Sequence, residues 1–166
     1  TFKFFYKKEM KALIQRVRYA KVLVNKKNVS NINEGLLVFL GIHKEDTFYE
    51  TKYIVDKILN LRLFPKNISE SGFEISVTDS SRDILVVSQF TLYGSTRKGR
   101  RPNFSDAANS ELAISIYENF LEEIGKTNLN IRSGEFGAYM EITSNNWGPV
   151  SILIDSREKE ISRKSV

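Results

Sequence analysis

The sequence predicts an α+β fold, in which curved antiparallel or mixed sheets form a barrel-like core with two helices on the outside. Three observations predict it: about seven or eight segments have the apolar pattern of strands, only two have helical periodicity, and 41% of the 166 residues are hydrophobic. A chain of this length buries ~70% of the surface that it exposes when unfolded, so we expect one domain with a substantial core.

The first 42 residues are predicted to be mostly strands. Apolar alternation predicts one strand over residues 12–17, and a short apolar run predicts another over 20–24, with a turn at 26–28. The continuous apolar run over 36–42 is typical of a central strand that is buried on both faces.

The first helix is predicted at residues 47–60. Thr47 and Glu50 have the spacing of a capping box, and the apolar residues after them recur at helical spacing. Three strands follow the helix, which we predict at 61–64, 73–77 and 84–92.

The second helix is predicted at residues 109–124. Apolar residues recur at i, i+3, i+4, i+7, i+8 and i+11 from Ala113 onward, and Gly125 stands where a helix often ends. The remaining strands of the fold are predicted at 128–132, 136–143 and 150–154.

The domain organisation is predicted to be simple: one domain over 10–155, an N-terminal extension over 1–9 and a charged C-terminal tail over 156–166. The extension lacks the apolar core and cleavage site of a secretory signal, and the longest apolar run is too short to span a membrane.

The near absence of cysteine and histidine excludes several classes of site. The chain has no cysteine and one histidine, His43, which removes disulfide scaffolds, zinc sites built on Cys and His, and cysteine nucleophiles. We therefore expect a cytoplasmic protein with no metal site and no cofactor.

A short basic segment concentrates the positive charge. The chain has a net charge of +5, and residues 93–104 contain no acidic residue. The four cations of this segment are Arg97, Lys98, Arg100 and Arg101. Such a loop is typical of a docking point for a polyanion, although a loop that only keeps the protein soluble can have the same composition.

The end of the strongest predicted strand is the first candidate site. Strand alternation would place Gln89 and Thr91 on one face, with Ser88 and Phe90 on the other. The alternative is an ordinary sheet face, where β propensity favours Thr. Because His43 is predicted to lie far away, Thr91 has no evident base, which argues against a Ser-His-Asp type of mechanism.

The second candidate is the segment Asn146-Trp147-Gly148-Pro149-Val150-Ser151, between two predicted strands. An ordinary turn is the simplest interpretation, since Asn, Gly and Pro are turn formers. However, Gly-Pro directly before a buried strand is unusual, because proline donates no hydrogen bond to a neighbouring strand.

Together the two segments resemble the D-aminoacyl-tRNA deacylases, also called D-tyrosyl-tRNA deacylases. The resemblance runs from residue 10 to about residue 155, with support from residues 12–17, 35–42, 98–104 and 133–140. One departure is Ser151, where the family usually has threonine, a change that keeps the hydroxyl group.

The resemblance implies a homodimer that hydrolyses the ester between a D-amino acid, or glycine, and the 3′-terminal adenosine of tRNA. It implies that a cis Gly148-Pro149 motif enters the partner subunit's pocket and excludes L side chains, braced by Arg16. The remaining residues that it implies form three groups: catalytic Gln89, Phe90 and Thr91; supporting Ser88 and Asn146; and an adenosine pocket of Phe136 and Met140. The four basic-loop residues would contact tRNA phosphates, and neither DNA nor a membrane is an expected partner.

Catalysis in this family is attributed to the 2′-hydroxyl of the terminal ribose, which agrees with the missing base. The amides near Phe90 and Thr91 would then stabilise the developing oxyanion. Two alternatives stay open: a noncatalytic RNA-binding module, and a sister deacylase with a trans Gly-Pro bond and relaxed chirality.

Overall fold

The computed structural model describes residues 9–67 and 71–160, and confirms the predicted α+β class. Within these residues, two helices pack on a mixed sheet that curves into a nearly closed barrel. The strands are β1 (Lys11–Val24), β2 (Lys27–Ile32), β3 (Gly35–Gly41), β4 (Arg62–Phe64), β5 (Ile75–Ser76), β6 (Asp83–Ser88), β7 (Ile131–Ser133) and β8 (Glu141–Asp155). The helices are α1 (Phe48–Asn60) and α2 (Ser110–Ile124), and two 3₁₀ turns cover Phe90–Tyr93 and Ser156–Glu160.

The long strand β1 organises the main sheet. Its first half pairs antiparallel with β3 and its second half with β2, while β8 follows its other edge. Strand β6 then adds parallel to β3, and β7 adds parallel to β6. The predicted division of β1 into two strands is wrong, because the irregularity lies in the register of β8 against Gln15, Val17 and Tyr19, and β1 itself continues.

Strand β2 was not predicted, because its residues are mainly polar and exposed. The turn that precedes it consists of Asn25 and Lys26, with φ of 50° and 64°, and Val24 pairs directly with Lys27. Two consecutive residues with positive φ match the twist of a tight hairpin. The predicted turn therefore lies one residue too far along the chain.

Further boundaries differ from the predictions. The strand predicted over 84–92 ends at Ser88, and residues 136–140, predicted as part of a strand, form a loop. The predicted strand over 150–154 is the second half of β8, which runs through the Gly-Pro segment without a chain reversal. Glycine and proline there form an irregularity within a strand, which composition alone does not distinguish from a turn.

The core lies on both faces of the sheet. Leu36, Val38 and Leu40 of β3 pack towards α1 and α2, whereas Leu37 belongs to a smaller cluster on the opposite face. This alternation is what a central strand buried on both sides requires. No helix within the described residues is both long and apolar enough to cross a membrane.

The capping box of α1 is confirmed. The Thr47 side chain accepts the N–H of Tyr49 at 3.3 Å, and Glu50 Oε2 accepts the N–H of Thr47 at 2.7 Å. These bonds satisfy amides that have no partner within the helix, so the helix begins at Phe48, one residue after the predicted start.

Asp46, just before this helix, is a buried carboxyl group that ties the start of β1 to the end of β3. Its two oxygens accept the N–H of Glu9 at 2.9 Å and of His43 at 2.7 Å. Burial raises the pKa of Asp46 to about 7, although these hydrogen bonds lower it, and the nearby carboxylates of Glu50 and Glu9 raise it further.

We expect the free energy of unfolding to fall as the pH rises from 4 to 7. In this interval the unfolded chain has already lost the Asp46 proton while the folded protein retains it, so deprotonation favours unfolding, by up to about 4 kcal/mol. Urea denaturation at several pH values should show this slope, and Asp46→Asn should flatten it. A variant with the wild-type slope would contradict this assignment.

Candidate active site

The two sequence segments lie on different strands of one sheet. Strands β1 and β3 separate β6, which leads to residues 88–92, from β8, which contains residues 146–151. Three strand spacings amount to ~14 Å along the sheet. Within one chain, the two segments are therefore too far apart to hold the same ester group.

The first segment is a 3₁₀ turn and not the end of a strand. The N–H of Gln89 donates to the Leu40 carbonyl at 2.8 Å, and the chain then turns at Phe90–Tyr93. Gln89 and Thr91 do lie together, but strand alternation is not the cause. The 3₁₀ turn brings their side chains together, and Gln89 Nε2 donates a hydrogen bond to Thr91 Oγ1.

The start of this turn presents backbone amides. Gln89 makes no side-chain cap bond, and the first N–H groups of a helical turn have no acceptor within it. The Tyr93 hydroxyl anchors the other end of the turn, 3.0 Å from the Gly41 carbonyl and 2.5 Å from that of Glu9. Phe90 is exposed, and its ring packs edge-to-face with that of Phe104, with the ring centroids 5.1 Å apart. The amides of Phe90 and Thr91 thus sit on a rigidly anchored turn.

The second segment is a bulge in β8. Gln15 pairs with Ser151 and Val17 pairs with Asn146, so residues 147–150 all stand opposite Arg16. Gly148 and Pro149 are exposed at the crest of this Gly-Pro bulge, while the side chains on either side of them are buried. Gly148 has a φ of 139°, and the Gly148-Pro149 peptide bond is cis.

Two side chains of the same chain hold the bulge in place. Arg16, which is 3% exposed, donates from Nε to the Trp147 carbonyl at 2.9 Å. Its Nη1 donates to the carbonyls of Leu63 at 2.7 Å and Gly72 at 3.2 Å. Asn146 Oδ1 accepts the N–H of Val150 at 3.0 Å, which closes the base of the bulge.

The electrostatics of Arg16 follow from this burial. Desolvation lowers the pKa of Arg16, and the neighbouring Arg18 and Arg82 lower it further. Three carbonyl oxygens offset that cost by accepting from the guanidinium group. The resemblance implies that Arg16 braces an incoming Gly-Pro motif; within this chain its acceptor in the segment is the carbonyl of Trp147, and not that of Gly148 or Pro149.

The other residues of the predicted site lie in separate parts of the fold. Ser88 is the last residue of β6, and Ser151 Oγ accepts from Gln15 Nε2 at 3.3 Å. Phe136 packs against Tyr117, with ring centroids 5.6 Å apart, on the side of the helices. Met140 packs on the opposite cluster, and its sulfur lies 2.7 Å from where a Cβ at Gly134 would stand. The structure thus places the two predicted pocket residues against different parts of the core.

The basic loop adjoins the 3₁₀ turn. Ser95 and Asn103 exchange two backbone hydrogen bonds, of 2.7 and 3.0 Å, which close the loop at its base. All four cations between them are exposed, and no Asp or Glu of the described chain pairs with any of them. Phe104 links the base of the loop to Phe90. Sequence reasoning missed Phe104, whose only signal was its place at the end of the basic segment.

A family model described as D-Tyr-tRNA(Tyr) deacylase matches residues 13–155. Two curated relatives named D-aminoacyl-tRNA deacylase, from Thermosipho melanesiensis and Aquifex aeolicus, are 49% and 50% identical to this chain over 150 residues. Each match covers 90% of this chain and 99% of the relative.

Two solved structures are also similar. A protein named c-Myc DNA unwinding element binding protein is 42% identical, with a TM-score of 0.81, over 87% of this chain and 97% of that one. A probable eukaryotic D-amino acid tRNA deacylase is 19% identical, with a TM-score of 0.75, over 89% of this chain and 99% of that one, and shows a shared fold.

Proposed function

Because the chain belongs to the D-Tyr-tRNA(Tyr) deacylase family, we propose that it hydrolyses the ester that joins a D-amino acid to the 3′-terminal adenosine of tRNA. Its relatives are hydrolases, named D-aminoacyl-tRNA deacylase. The observation that carries the proposal is the exposed Gly-Pro bulge, which Arg16 and Asn146 hold from below.

Selectivity in this proposal comes from excluding the L-amino acid. D and L esters carry the same groups, so attraction alone discriminates poorly between them, whereas a rigid wall on one side of the α-carbon rejects one enantiomer. The crest of the Gly-Pro bulge is backbone and a proline ring, with few rotatable bonds. Glycine has no side chain to clash with this wall, so glycyl-tRNA is also a substrate in this proposal.

The proposed enzyme is a homodimer, because the two halves of its site are apart within one chain. Leu153, which is 53% exposed, pairs with Leu13, and Leu13 pairs with Phe39 on β3. These three residues form an apolar row across the sheet that runs towards the end of β6. A second copy of the chain would cover this row. Under two-fold symmetry, the bulge of each subunit then meets the 3₁₀ turn of the other.

Catalysis in this proposal depends on the substrate. Thr91 accepts a hydrogen bond from Gln89. The expectation that His43 lies far from this turn is wrong, because its ring centroid is 5.6 Å from that of Tyr93. His43 is nevertheless buried, and its Nδ1 accepts the N–H of Glu45 at 3.1 Å. Neither arrangement gives Thr91 a general base. The 2′-hydroxyl of the terminal ribose would promote attack on the adjacent ester, while the amides of Phe90 and Thr91 would stabilise the oxyanion.

The test compares the decay of D-tyrosyl-, L-tyrosyl- and glycyl-tRNA with and without the protein. We expect rapid loss of the D and glycyl esters, and loss of the L ester at the spontaneous rate. Decay of all three at the spontaneous rate would identify a noncatalytic RNA-binding module. Equal hydrolysis of the D and L esters would identify a sister deacylase with relaxed chirality.

The basic loop is expected to contribute to tRNA binding and not to chirality. Replacing Arg97, Lys98, Arg100 and Arg101 by alanine should raise KM. It should also reduce the salt slope, which is the slope of the logarithm of the binding constant against the logarithm of the salt concentration, by up to about 3, since each contact with single-stranded RNA contributes about 0.7. The ratio of D to L hydrolysis should stay the same, because phosphate contacts carry no information about the stereocentre. Kinetics at two salt concentrations measure both quantities.

Two results would contradict this role of the loop. An unaltered salt slope would remove it from the binding surface, and a collapsed ratio of D to L hydrolysis would mean that it shapes the pocket. Because one relative is named after a DNA element, duplex DNA is a suitable competitor. Competition by DNA as strong as that by tRNA would argue against tRNA as the preferred ligand of this loop.

A further inference from the structure

We propose that Trp147 is a positioning residue that sets the direction of the Gly-Pro bulge, and thereby the discrimination between D and L esters. This inference rests on the proposed function. Trp147 belongs to the segment 146–151, in which the family resemblance implies no role for it.

Trp147 connects the exposed crest of the bulge to the interior. Its neighbours Gly148 and Pro149 are exposed, whereas Trp147 itself is only 8% exposed and packs in the main core. Its ring centroid lies 6.1 Å from that of Phe64 on β4, at an angle of 55°. The buried ring therefore anchors the residue at which the crest begins.

Guanidinium groups from strand β1 and from the loop before β6 surround the ring. The central carbon of Arg18 lies 3.7 Å from the ring centroid, that of Arg16 4.6 Å and that of Arg82 5.7 Å. All three lie within the ~6 Å at which a cation is attracted by an aromatic face. Arg16 also holds the carbonyl of the same residue, so one arginine binds both the ring and the backbone of Trp147.

Glu34 keeps this cluster of positive charges together. Its carboxylate pairs with Arg18 at 2.5 Å and with Arg82 at 3.3 Å. Burial raises the pKa of Glu34, but the hydrogen bonds from the two arginines outweigh this and hold its pKa below the ordinary value. The acid therefore stays ionised at neutral pH and offsets the repulsion between the two guanidinium groups that it holds.

The position of the ring depends on its aromatic character. Within the described residues, the buried Trp147 Nε1 has no hydrogen-bond partner. Packing and cation–π attraction are consequently what hold the ring. A side chain of similar hydrophobicity without an aromatic face would fill part of the space but lose the attraction to the three arginines.

The test compares Trp147→Leu, which removes the aromatic face, with Trp147→Phe, which keeps one. We expect Trp147→Leu to raise the hydrolysis of L-tyrosyl-tRNA relative to D-tyrosyl-tRNA by roughly tenfold, the factor that corresponds to ~1.4 kcal/mol of discrimination. We expect Trp147→Phe to keep the ratio within about threefold of wild type. Phe120→Leu is the matched control, because Phe120 is a buried aromatic residue of the same core on α2.

Thermal unfolding separates positioning from stability. Both leucine variants should lower Tm, whereas only Trp147→Leu should change the ratio of L to D hydrolysis. If Trp147→Leu does not fold, Glu34→Gln provides the second test, because this partly exposed acid holds Arg18 and Arg82. We expect Glu34→Gln to shift the ratio in the same direction by roughly threefold.

The outcomes distinguish this inference from the proposed function. An unchanged ratio in Trp147→Leu or, if that variant does not fold, in Glu34→Gln would overturn the role of Trp147, while a selective wild type would leave the proposed function in place. A wild type that hydrolyses D and L esters equally would overturn both, and the wild-type data alone would show it.

Discussion

D-Tyrosyl-tRNA that ends in 2′-deoxyadenosine is expected to decay at the spontaneous rate in the presence of the protein, whereas Thr91→Ala should retain most of its activity on normal substrate. The 2′-hydroxyl is adjacent to the ester and needs no diffusion to reach it, so its removal should cost at least about 10³-fold in rate. Among the described residues, the Thr91 hydroxyl has a hydrogen bond only with Gln89. Single-turnover decay of the two substrates on both proteins measures the effect.

The opposite pattern would establish a different mechanism. If Thr91→Ala abolished hydrolysis and the deoxy substrate were still cleaved, Thr91 would be the nucleophile. A binding assay with the deoxy substrate is the necessary control, because the missing hydroxyl must slow the reaction without releasing the tRNA. A deoxy substrate that no longer binds would show that the 2′-hydroxyl is recognised, which would contradict a role confined to the chemical step.

The elements that the sequence predicted well carry their own local signals. The capping box of Thr47 and Glu50 places the start of α1, and the apolar run of β3 indicates burial on both faces. Strand β2 has no such signal, because its polar residues are exposed and only its pairing with β1 makes it a strand. The prediction divided strand β8 because residues 147–150 contain turn formers. Only the pairing with β1, which continues beside them, shows that the strand is continuous.

The residues of the candidate site were indicated before the structure, whereas most contacts between them were not. Family resemblance indicated Arg16 and the residues of both motifs, and the structure brings Gln89 to Thr91 and Arg16 to the Gly-Pro bulge. The contacts that the sequence did not predict are distant along the chain: Arg16 lies 131 residues before Trp147. Spacing within a single sequence does not reveal such contacts, because they depend on which strands become neighbours.

The largest effect on assembly is expected in dimers that combine one subunit with a disabled bulge and one with a disabled turn. Gly148→Ala should disable the bulge and so raise hydrolysis of the L ester, because a Cβ there would stand 2.8 Å from Val150 Cγ2 and the φ of 139° strongly favours glycine. Phe90→Pro should disable the oxyanion site of the 3₁₀ turn by removing the Phe90 amide, at a cost of about 10²–10³ in kcat. Gln89 has a ψ of 81°, outside the α region that a following proline disfavours, and proline is tolerated at the first position of a helical turn.

A matched variant separates the amide of Phe90 from its ring. Phe90→Ala removes the ring and its contact with Phe104 but keeps the N–H, so its kcat should stay far above that of Phe90→Pro. Equal losses in the two variants would assign the effect to the ring.

Heterodimers of Gly148→Ala and Phe90→Pro subunits, purified through two different tags, should hydrolyse the D ester at about half of the wild-type rate per dimer and keep the wild-type ratio of D to L hydrolysis. One of the two symmetric sites receives an intact bulge and an intact turn, whereas the other receives both lesions and stays inactive. If each chain instead built its site alone, the one intact turn would work with the disabled bulge of its own subunit, and the heterodimer would show the relaxed ratio of Gly148→Ala. A fully active monomer in sedimentation would likewise contradict the shared site. A wild-type ratio in the heterodimer therefore requires that the bulge of one subunit act on ester held by the turn of the other.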